Sequence, residues 1–312
     1  MSPNPAVSIV MPAYNAAGTI AASVRSVQAQ TLKNWELIIV DDGSSDGTAK
    51  AALALAKEDK RICVVQRCNR GPSTARNAGV DLARGYVLAF LDSDDFWAGD
   101  RLSGMLKTFR DNPKAGVLFS RTRFLDAETL QPGTLTRHRN RLTAADLMAE
   151  NALCSTSNIV CFKSVFVESG GFKVGLHHAE DQDWLLRIAL EDRWEIRGVD
   201  EEWFFYRSAP NSQSADLEAM RAGWHRMVEA ASDLFPEIAP RAARRAFGPI
   251  HRQLARRALR MGRTGDAIKY LFIALSRDPF MILRQPKRTG LTLIGTCLTL
   301  LPHSKFKELV AK

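Results

Sequence analysis

Residues 7–41 read VSIVMPAYNAAGTIAASVRSVQAQTLKNWELIIVD, and this stretch decides the fold. Val7–Met11 and Trp35–Val40 are short runs rich in β-branched residues, the mark of buried strands. Between them Ala16–Gln30 repeats apolar residues at three- and four-residue spacing, which predicts an amphipathic helix. The unit recurs downstream. Arg61–Gln66 and Tyr86–Leu91 predict two further strands, Thr48–Lys57 and Ser73–Ala83 predict helices, and Ser44, Ser45 or Asp46 is placed to cap the first of these. Strand, helix, strand, repeated, predicts an α/β fold with a mostly parallel sheet and helices on both faces.

The 312 residues are 46% hydrophobic and 25% charged, a globular balance that excludes disordered and collagenous chains. The length suits one large domain with an appendage, or two domains. The first strand has no basic segment before it and no Ala-x-Ala site after it, so no secretion signal is read and a cytoplasmic location is expected. The longest uncharged apolar stretch, Leu291–Leu301, is well short of the roughly 20 residues that cross a bilayer. Five cysteines without Cys-x-x-Cys spacing predict buried free thiols rather than disulfides or a zinc site.

In doubly wound sheets ligands bind beyond the carboxyl ends of the strands. Pro12-Ala13-Tyr14-Asn15, Asp41-Asp42-Gly43-Ser44 and Asp92-Ser93-Asp94-Asp95 all follow predicted strands, so they converge on one edge. Each alone reads as turn and cap chemistry. Together, three neighbouring carboxylates repel one another unless protons or a cation intervene, and a Mg²⁺ or Mn²⁺ ion holding a phosphate is the simplest resolution. No P-loop and no Gly-x-Gly-x-x-Gly follows the first strand, which argues against P-loop enzymes and dinucleotide-dependent dehydrogenases.

The order of Val7–Asn15, Asp41–Thr48, Ala75-Arg76-Asn77-Ala78-Gly79 and Leu91–Asp95 resembles the family 2 glycosyltransferases of the GT-A fold. The resemblance continues through Gly170-Gly171-Phe172, Glu180-Asp181 and Tyr206-Arg207 and so covers roughly residues 6–215, within an expected catalytic domain of residues 1–215. It implies a nucleotide-sugar donor, a UDP-sugar ahead of a dTDP- or GDP-sugar, with Mn²⁺ or Mg²⁺ as cofactor. Pro12 and Tyr14 would line the base pocket, and Asp42 would accept the N3–H of uracil or thymine. Arg76 would approach the base or diphosphate, Asp92 the ribose and Asp94 the metal, with Ser93 helping through its backbone. The family's catalytic base falls on Asp181, which with Glu180 precedes the helical run Trp184–Leu190. Glu180 would orient the acceptor or the base, and Trp97 and Trp184 offer faces for sugar rings, or are core. Tyr206-Arg207, followed by Ser212 and Ser214, resembles the segment that folds over the diphosphate, where Arg207 would add positive charge. The Gln-x-x-Arg-Trp motif of processive members is absent, which points to single sugar addition; the expected acceptor is a hydroxyl of a glycan or lipid-linked glycan in cell-surface polysaccharide synthesis.

The charge is unevenly divided. Residues 241–312 carry a net +13, and residues 1–240 a net −4. Pro249–Met261, a stop at Gly262 and Asp266–Arg277 predict a helical hairpin similar to one tetratricopeptide repeat, with Ala255, Ala267 and Ala274 at the close approach. Leu291–Leu301, flanked by Lys287, Arg288, Lys305 and Lys307, suits a helix on an anionic membrane surface, which would make the protein peripheral on the inner face of the cell membrane. A solvated basic face, or a last helix docked on the hairpin, is the plainer reading of residues 216–312. Other classes open to such a sequence are a retaining GT-A enzyme, a sugar nucleotidyltransferase, which should carry a Gly-rich basic loop after strand one, and a basic-tail interaction protein with a vestigial nucleotide pocket. No nucleic acid partner is expected, since the tail carries no recognition motif.

Overall fold

The computed structural model describes residues 4–176, 179–208 and 216–299. Val7–Ala13 forms β1, Trp35–Asp41 β2, Ile62–Gln66 β3 and Val87–Phe90 β4, each within two residues of the predicted run. Helices α1 (Ile20–Gln28), α2 (Thr48–Glu58) and α3 (Pro72–Leu82) connect them. β1 pairs in parallel with both β2 and β4, and β2 in parallel with β3. β2 is buried along its whole length, as a strand covered on both faces must be.

Helix α1 begins four residues later than the apolar pattern predicts. The Ala16 N–H donates to Thr48 Oγ1 at 2.7 Å and the Ala17 N–H to the Asp46 carboxylate at 3.1 Å, while Asn15 is left-handed at φ 49°. These bonds tie the chain leaving β1 to the start of α2. Asp46 supports α2 from just outside it, accepting the Thr48 N–H at 2.9 Å.

The rest of the sheet departs from simple alternation. β5 (Phe96–Trp97), α4 (Arg101–Asp111), β6 (Ala115–Asp126), β7 (Pro132–Leu135), β8 (Arg141–Leu142), α5 (Ala144–Ala149), a 3₁₀ turn at Thr156–Asn158, β9 (Val160–Phe162), α6 (Lys163–Glu168), α7 (Glu180–Glu191) and β10 (Glu195–Ser208) follow in order. The sheet runs β3-β2-β1-β4-β9-β6-β10-β5, with β9 antiparallel to both of its neighbours and β10 parallel to β6. Val10 aligns with Phe90 and Ala13 with Asp41, so β1, β2 and β4 end at one edge, where Tyr14, Asp42 and Asp92 follow.

Gly79 explains one motif position by packing alone. A Cβ there would lie 2.4 Å from Val10 Cγ1, so only glycine lets α3 approach β1 this closely. Gly79→Ala is expected to destabilise the protein by about 1–3 kcal/mol, read as a lower urea midpoint at unchanged slope.

The chain forms two compact units, Met1–Thr143 with Ala152–Pro210, and Ala144–Asn151 with Asn211–Lys312. In the second, α8 (Leu217–Leu234), α9 (Ala239–Arg260), α10 (Thr264–Arg277), α11 (Met281–Arg284) and α12 (Pro286–Thr299) succeed one another. The hairpin is α9 and α10, with Ala255, Ala258, Ala267 and Ala274 fully buried. Its first helix is longer than expected: Pro249 lies inside α9 rather than at its start. Burial of Ala246, Ile250 and Leu254 on either side carries the helix across the missing N–H. Glu218 accepts from Lys269 Nζ (2.7 Å), Arg221 Nε (2.9 Å) and the Tyr270 hydroxyl (2.9 Å), which hold its carboxyl down to about 2 and join α8 to α10.

The cysteine expectation needs correction. Cys161 is buried, but Cys63, Cys68 and Cys297 are exposed and Cys154 is half-buried. Cys63 lies on β3, the edge strand, where alternate side chains leave the core. Ser212, Ser214, Lys305 and Lys307, and the end of the Leu291–Leu301 segment, lie outside the described residues.

Candidate active site

The acidic loop Asp92–Asp95 leaves β4 and turns at once into β5. Asp92 accepts from Arg76 Nη2 at 2.6 Å and from the Ser155 hydroxyl at 3.2 Å, and its own N–H donates to Ser157 Oγ at 2.9 Å. Asp95 is 1% exposed. One of its oxygens accepts the Arg207 N–H at 3.1 Å, and the other is buried without a hydrogen-bond partner. Burial, then Asp94 and Asp92, hold the Asp95 carboxyl well above the ordinary carboxylate range. Asp94 is open to solvent yet closely surrounded, and burial followed by the Asp92 charge pushes it up to about 6. Ser93 is buried.

Arg76 is held between two carboxylates. Its guanidinium is tied to Asp92 and, through Nη1 at 3.3 Å, to Glu180, and the residue is only 5% exposed. The two carboxylates hold the fork, and Arg76 joins the acidic loop to the first turn of α7. Asp181 lies in that turn, 7% exposed, accepting the Gln182 N–H at 2.8 Å, and its charge acts on Arg76. Helix α7 begins at Glu180 rather than at Trp184, so both acids sit at the positive end of its dipole. Arg76→Met, which leaves two carboxylates without their cation, is expected to cost about 3–5 kcal/mol of stability, measured by urea unfolding.

At the ends of the other strands, Tyr14 is 53% exposed and free to stack, with Pro12 half-buried before it. Asp42 is buried and accepts the backbone N–H groups of Arg70 (3.1 Å) and Gly71 (2.8 Å), which closes the turn into α3. A carboxylate has about four acceptor positions, so this role leaves capacity for a further donor. Arg207 stacks 4.7 Å over the Phe96 ring and lowers the pKa of Asp94 by its charge, which places it beside the acidic loop.

The two tryptophans are not sugar platforms. Trp184 is fully buried, donates to Ser169 Oγ at 2.7 Å and packs on Phe166 and Phe172; Trp97 is 4% exposed and donates to the Ser157 carbonyl at 3.0 Å. Both hold the scaffold, because their rings complete the core and their N–H groups are satisfied inside it.

Sequence reasoning missed the support beneath the loop. The turn Ser155–Asn158 supplies the hydroxyls that orient Asp92, and Asn158 in turn accepts from Arg101 Nη2 at 3.1 Å and from the Ser120 N–H at 3.0 Å. Arg101 is fully buried, with no carboxylate partner among the described residues, and burial brings its pKa down to about 9. The signal was an uninterrupted polar run, Ser155-Thr156-Ser157-Asn158, between Leu153 and Ile159. Asn77 is a second support of this kind. Its side chain accepts the Phe172 N–H at 3.2 Å and donates to the Phe172 carbonyl at 2.7 Å, beside Gly170 and Gly171 at positive φ.

Among the described residues no three His, Cys, Asp or Glu side chains are arranged to hold a metal by themselves. A cation here would need phosphate oxygens as well, which is how Mg²⁺ is usually bound. The donor set fits that mode: an all-oxygen cluster in which burial and then neighbouring charge raise two carboxyls, and one Asp95 oxygen is unpartnered among the described residues.

The family model described as glycosyl transferase family 2 matches residues 8–170, which carry this loop, Arg76 and the supporting turn. The chain belongs to this family. An Escherichia coli protein of the family, the UDP-Glc:alpha-D-GlcNAc-diphosphoundecaprenol beta-1,3-glucosyltransferase WfaP, is 30% identical over 212 residues, covering 67% of this chain and 80% of its own length. The first relatives matched are spanned only from 19% to 42% of their length. Among solved structures, S. aureus TarS 1–349 in complex with UDP-GlcNAc has a TM-score of 0.57 at 16% identity, over 90% of this chain and 92% of that one. The mannosyltransferase PcManGT from Pyrobaculum calidifontis, in complex with GDP-Man and Mn²⁺, has a TM-score of 0.57 at 17% identity, over 95% of this chain and 87% of that one. At these identities the likeness shows the fold: α/β, of the GT-A kind, followed by a helical region. Family membership makes the chain an enzyme of the glycosyltransferase class.

Proposed function

We propose that this chain is an inverting, divalent-cation-dependent glycosyltransferase that moves one sugar from a UDP-sugar to a hydroxyl of a lipid-linked glycan in cell-surface polysaccharide synthesis. The observation that carries the reading is the double attachment of Arg76 to Asp92 and Glu180, which brings the acidic loop and Asp181 into one site. The printed activity of the E. coli relative supports the donor and the lipid-linked acceptor.

Asp181 takes the proton from the acceptor hydroxyl as its oxygen bonds to the sugar C1, and the electron pair of the breaking C1–O bond leaves with the nucleoside diphosphate. Attack opposite the leaving group inverts the anomeric carbon. Asp94, beside Asp92, would hold a Mn²⁺ or Mg²⁺ ion, which when bound supplies positive charge to the departing diphosphate. Tyr14 stacks on the base against Pro12, Asp42 accepts the base N3–H, and Asp92 faces the ribose with Ser93 presenting backbone. Arg207 adds charge toward the diphosphate, and Glu180, fixed by Arg76, orients the acceptor. Residues 1–215 do this chemistry; residues 216–312 are assigned to attachment at the inner face of the cell membrane.

Product analysis tests the reading. Incubated with UDP-glucose, Mn²⁺ and a GlcNAc-diphospho-lipid, or with other UDP-sugars in turn, the enzyme is expected to yield a β-linked product from the α-linked donor, seen in the anomeric proton coupling. An α-linked product would assign a retaining mechanism and remove Asp181 from its role.

A further inference from the structure

In α12 threonines face the core while large apolar side chains face outward, although Leu293 packs inward. Thr289, Thr292 and Thr296 of α12 are buried, while Leu291 is 69% and Ile294 58% exposed. The inward threonines are satisfied within the fold: Thr292 and Thr296 donate to carbonyls four residues back, and Thr289 accepts from Arg252 at 3.3 Å. The same exposure marks the preceding turn, where Phe280 is 69% and Leu283 76% exposed with Ile282 beside them, and α10, where Phe272 is 72% exposed. Isolated exposed aliphatics are ordinary, but two phenylalanines and four large aliphatics within residues 272–294 form a concentration that soluble surfaces seldom carry.

The charge around them selects the partner. Residues 268–299 hold five Lys and Arg and a single carboxylate, Asp278, which is buried and paired with Arg284. Lys269 and Arg288 are also paired, to Glu218 and Glu150. Arg277 and Lys287 are exposed and have no carboxylate partner among the described residues, and they bracket Phe280, Ile282 and Leu283 in the chain. An apolar tip between two exposed cations, Arg277 with its guanidinium 5.8 Å from the Phe247 ring centroid and Lys287, matches the depth profile of an anionic bilayer, with acyl chains below and phosphate at the level of the cations. A protein partner would match only if it paired an apolar surface with acids of its own.

We propose that the second unit docks on an anionic lipid bilayer through the turn Phe280–Leu283 and the outward face of α12, with Arg277 and Lys287 at the headgroup level. This deepens the membrane part of the proposed function, and it stands or falls apart from the chemistry because its test contains neither nucleotide nor acceptor. The full chain is sedimented with vesicles of phosphatidylglycerol and phosphatidylcholine at 1:3, and with pure phosphatidylcholine. The protein is expected to partition at least about tenfold more strongly onto the anionic vesicles, and less at high salt. Replacing Phe280→Ser and Leu283→Ser together should lower that partition by about tenfold or more, and Lys287→Glu by about fivefold or more. Both variants should keep the wild-type urea midpoint, since these side chains lie outside the core. Partition that ignores phosphatidylglycerol, or that survives the double replacement, would overturn the proposal. So would a wild-type dimer in gel filtration that the double replacement dissociates, since a second copy would then be what covers the face.

Discussion

Asp181→Asn is expected to lower the turnover of sugar transfer about a thousandfold, within the range attributed to a positioned general base. Asparagine keeps the shape and the oxygen that accepts the Gln182 N–H, so the first turn of α7 should survive. What it lacks is basicity. Donor affinity should stay within about twofold of wild type, because the groups assigned to the nucleotide are on other elements. The corresponding Glu180→Gln change weakens one arm of the Arg76 clamp and should instead mix a higher acceptor KM with a smaller fall in kcat. Measured together by steady-state kinetics and nucleotide titration, the two variants separate the proton acceptor from the residue that orients. Turnover of Asp181→Asn within tenfold of wild type would remove it from the role.

Asp94→Ala carries the second large effect. Loss of the most accessible carboxylate of the loop is expected to lower UDP affinity in Mn²⁺ on the order of a hundredfold, and to leave the weaker affinity measured with chelator unchanged. The same substitution should make the metal-free protein more stable at neutral pH. The sign follows from the raised carboxyl: with its folded value at about 6, above the ordinary 3.8, Asp94 holds its proton more tightly in the folded state. Its contribution is most favourable below about pH 4 and is lost as pH rises through 6. Removing the group abolishes that loss, so thermal unfolding at pH 7 should move upward while function falls. A lower midpoint at pH 7 would show that Asp94 serves the fold rather than a cation.

The first half of the fold was legible because β1, β2 and β4 are buried on both faces and the helices alternate with the strands, so composition and period agree from Val7 to Leu91. The site clusters were legible for a topological reason: polar runs that follow parallel strands must meet at one edge. Legibility failed where a side chain's role depends on contacts distant in the chain. That Arg76 is held by Asp92 and Glu180, 16 and 104 residues away, could not be read from its place in the chain. Trp97 and Trp184 carry the same symbols whether they face a sugar or the core, and only packing decides. The antiparallel β9 was not visible because three residues, Val160–Phe162, are too few for a periodicity. Pro249 misled in the opposite direction, since tertiary packing overrode a strong local signal. Leu291–Leu301 was read as a basic-flanked helix suited to a membrane surface, but not which of its residues face outward, because which side of a helix threonine or leucine occupies is settled by its neighbours.

The most direct test of the central claim is calorimetric titration of UDP, GDP and dTDP into the full chain with Mn²⁺, repeated with chelator. Binding of UDP that weakens on the order of a hundredfold when the cation is removed, with GDP and dTDP weaker, is the predicted result. UDP binding of equal strength with and without the cation, or no binding by any of the three, would contradict it and leave the acidic loop without a role in holding the donor.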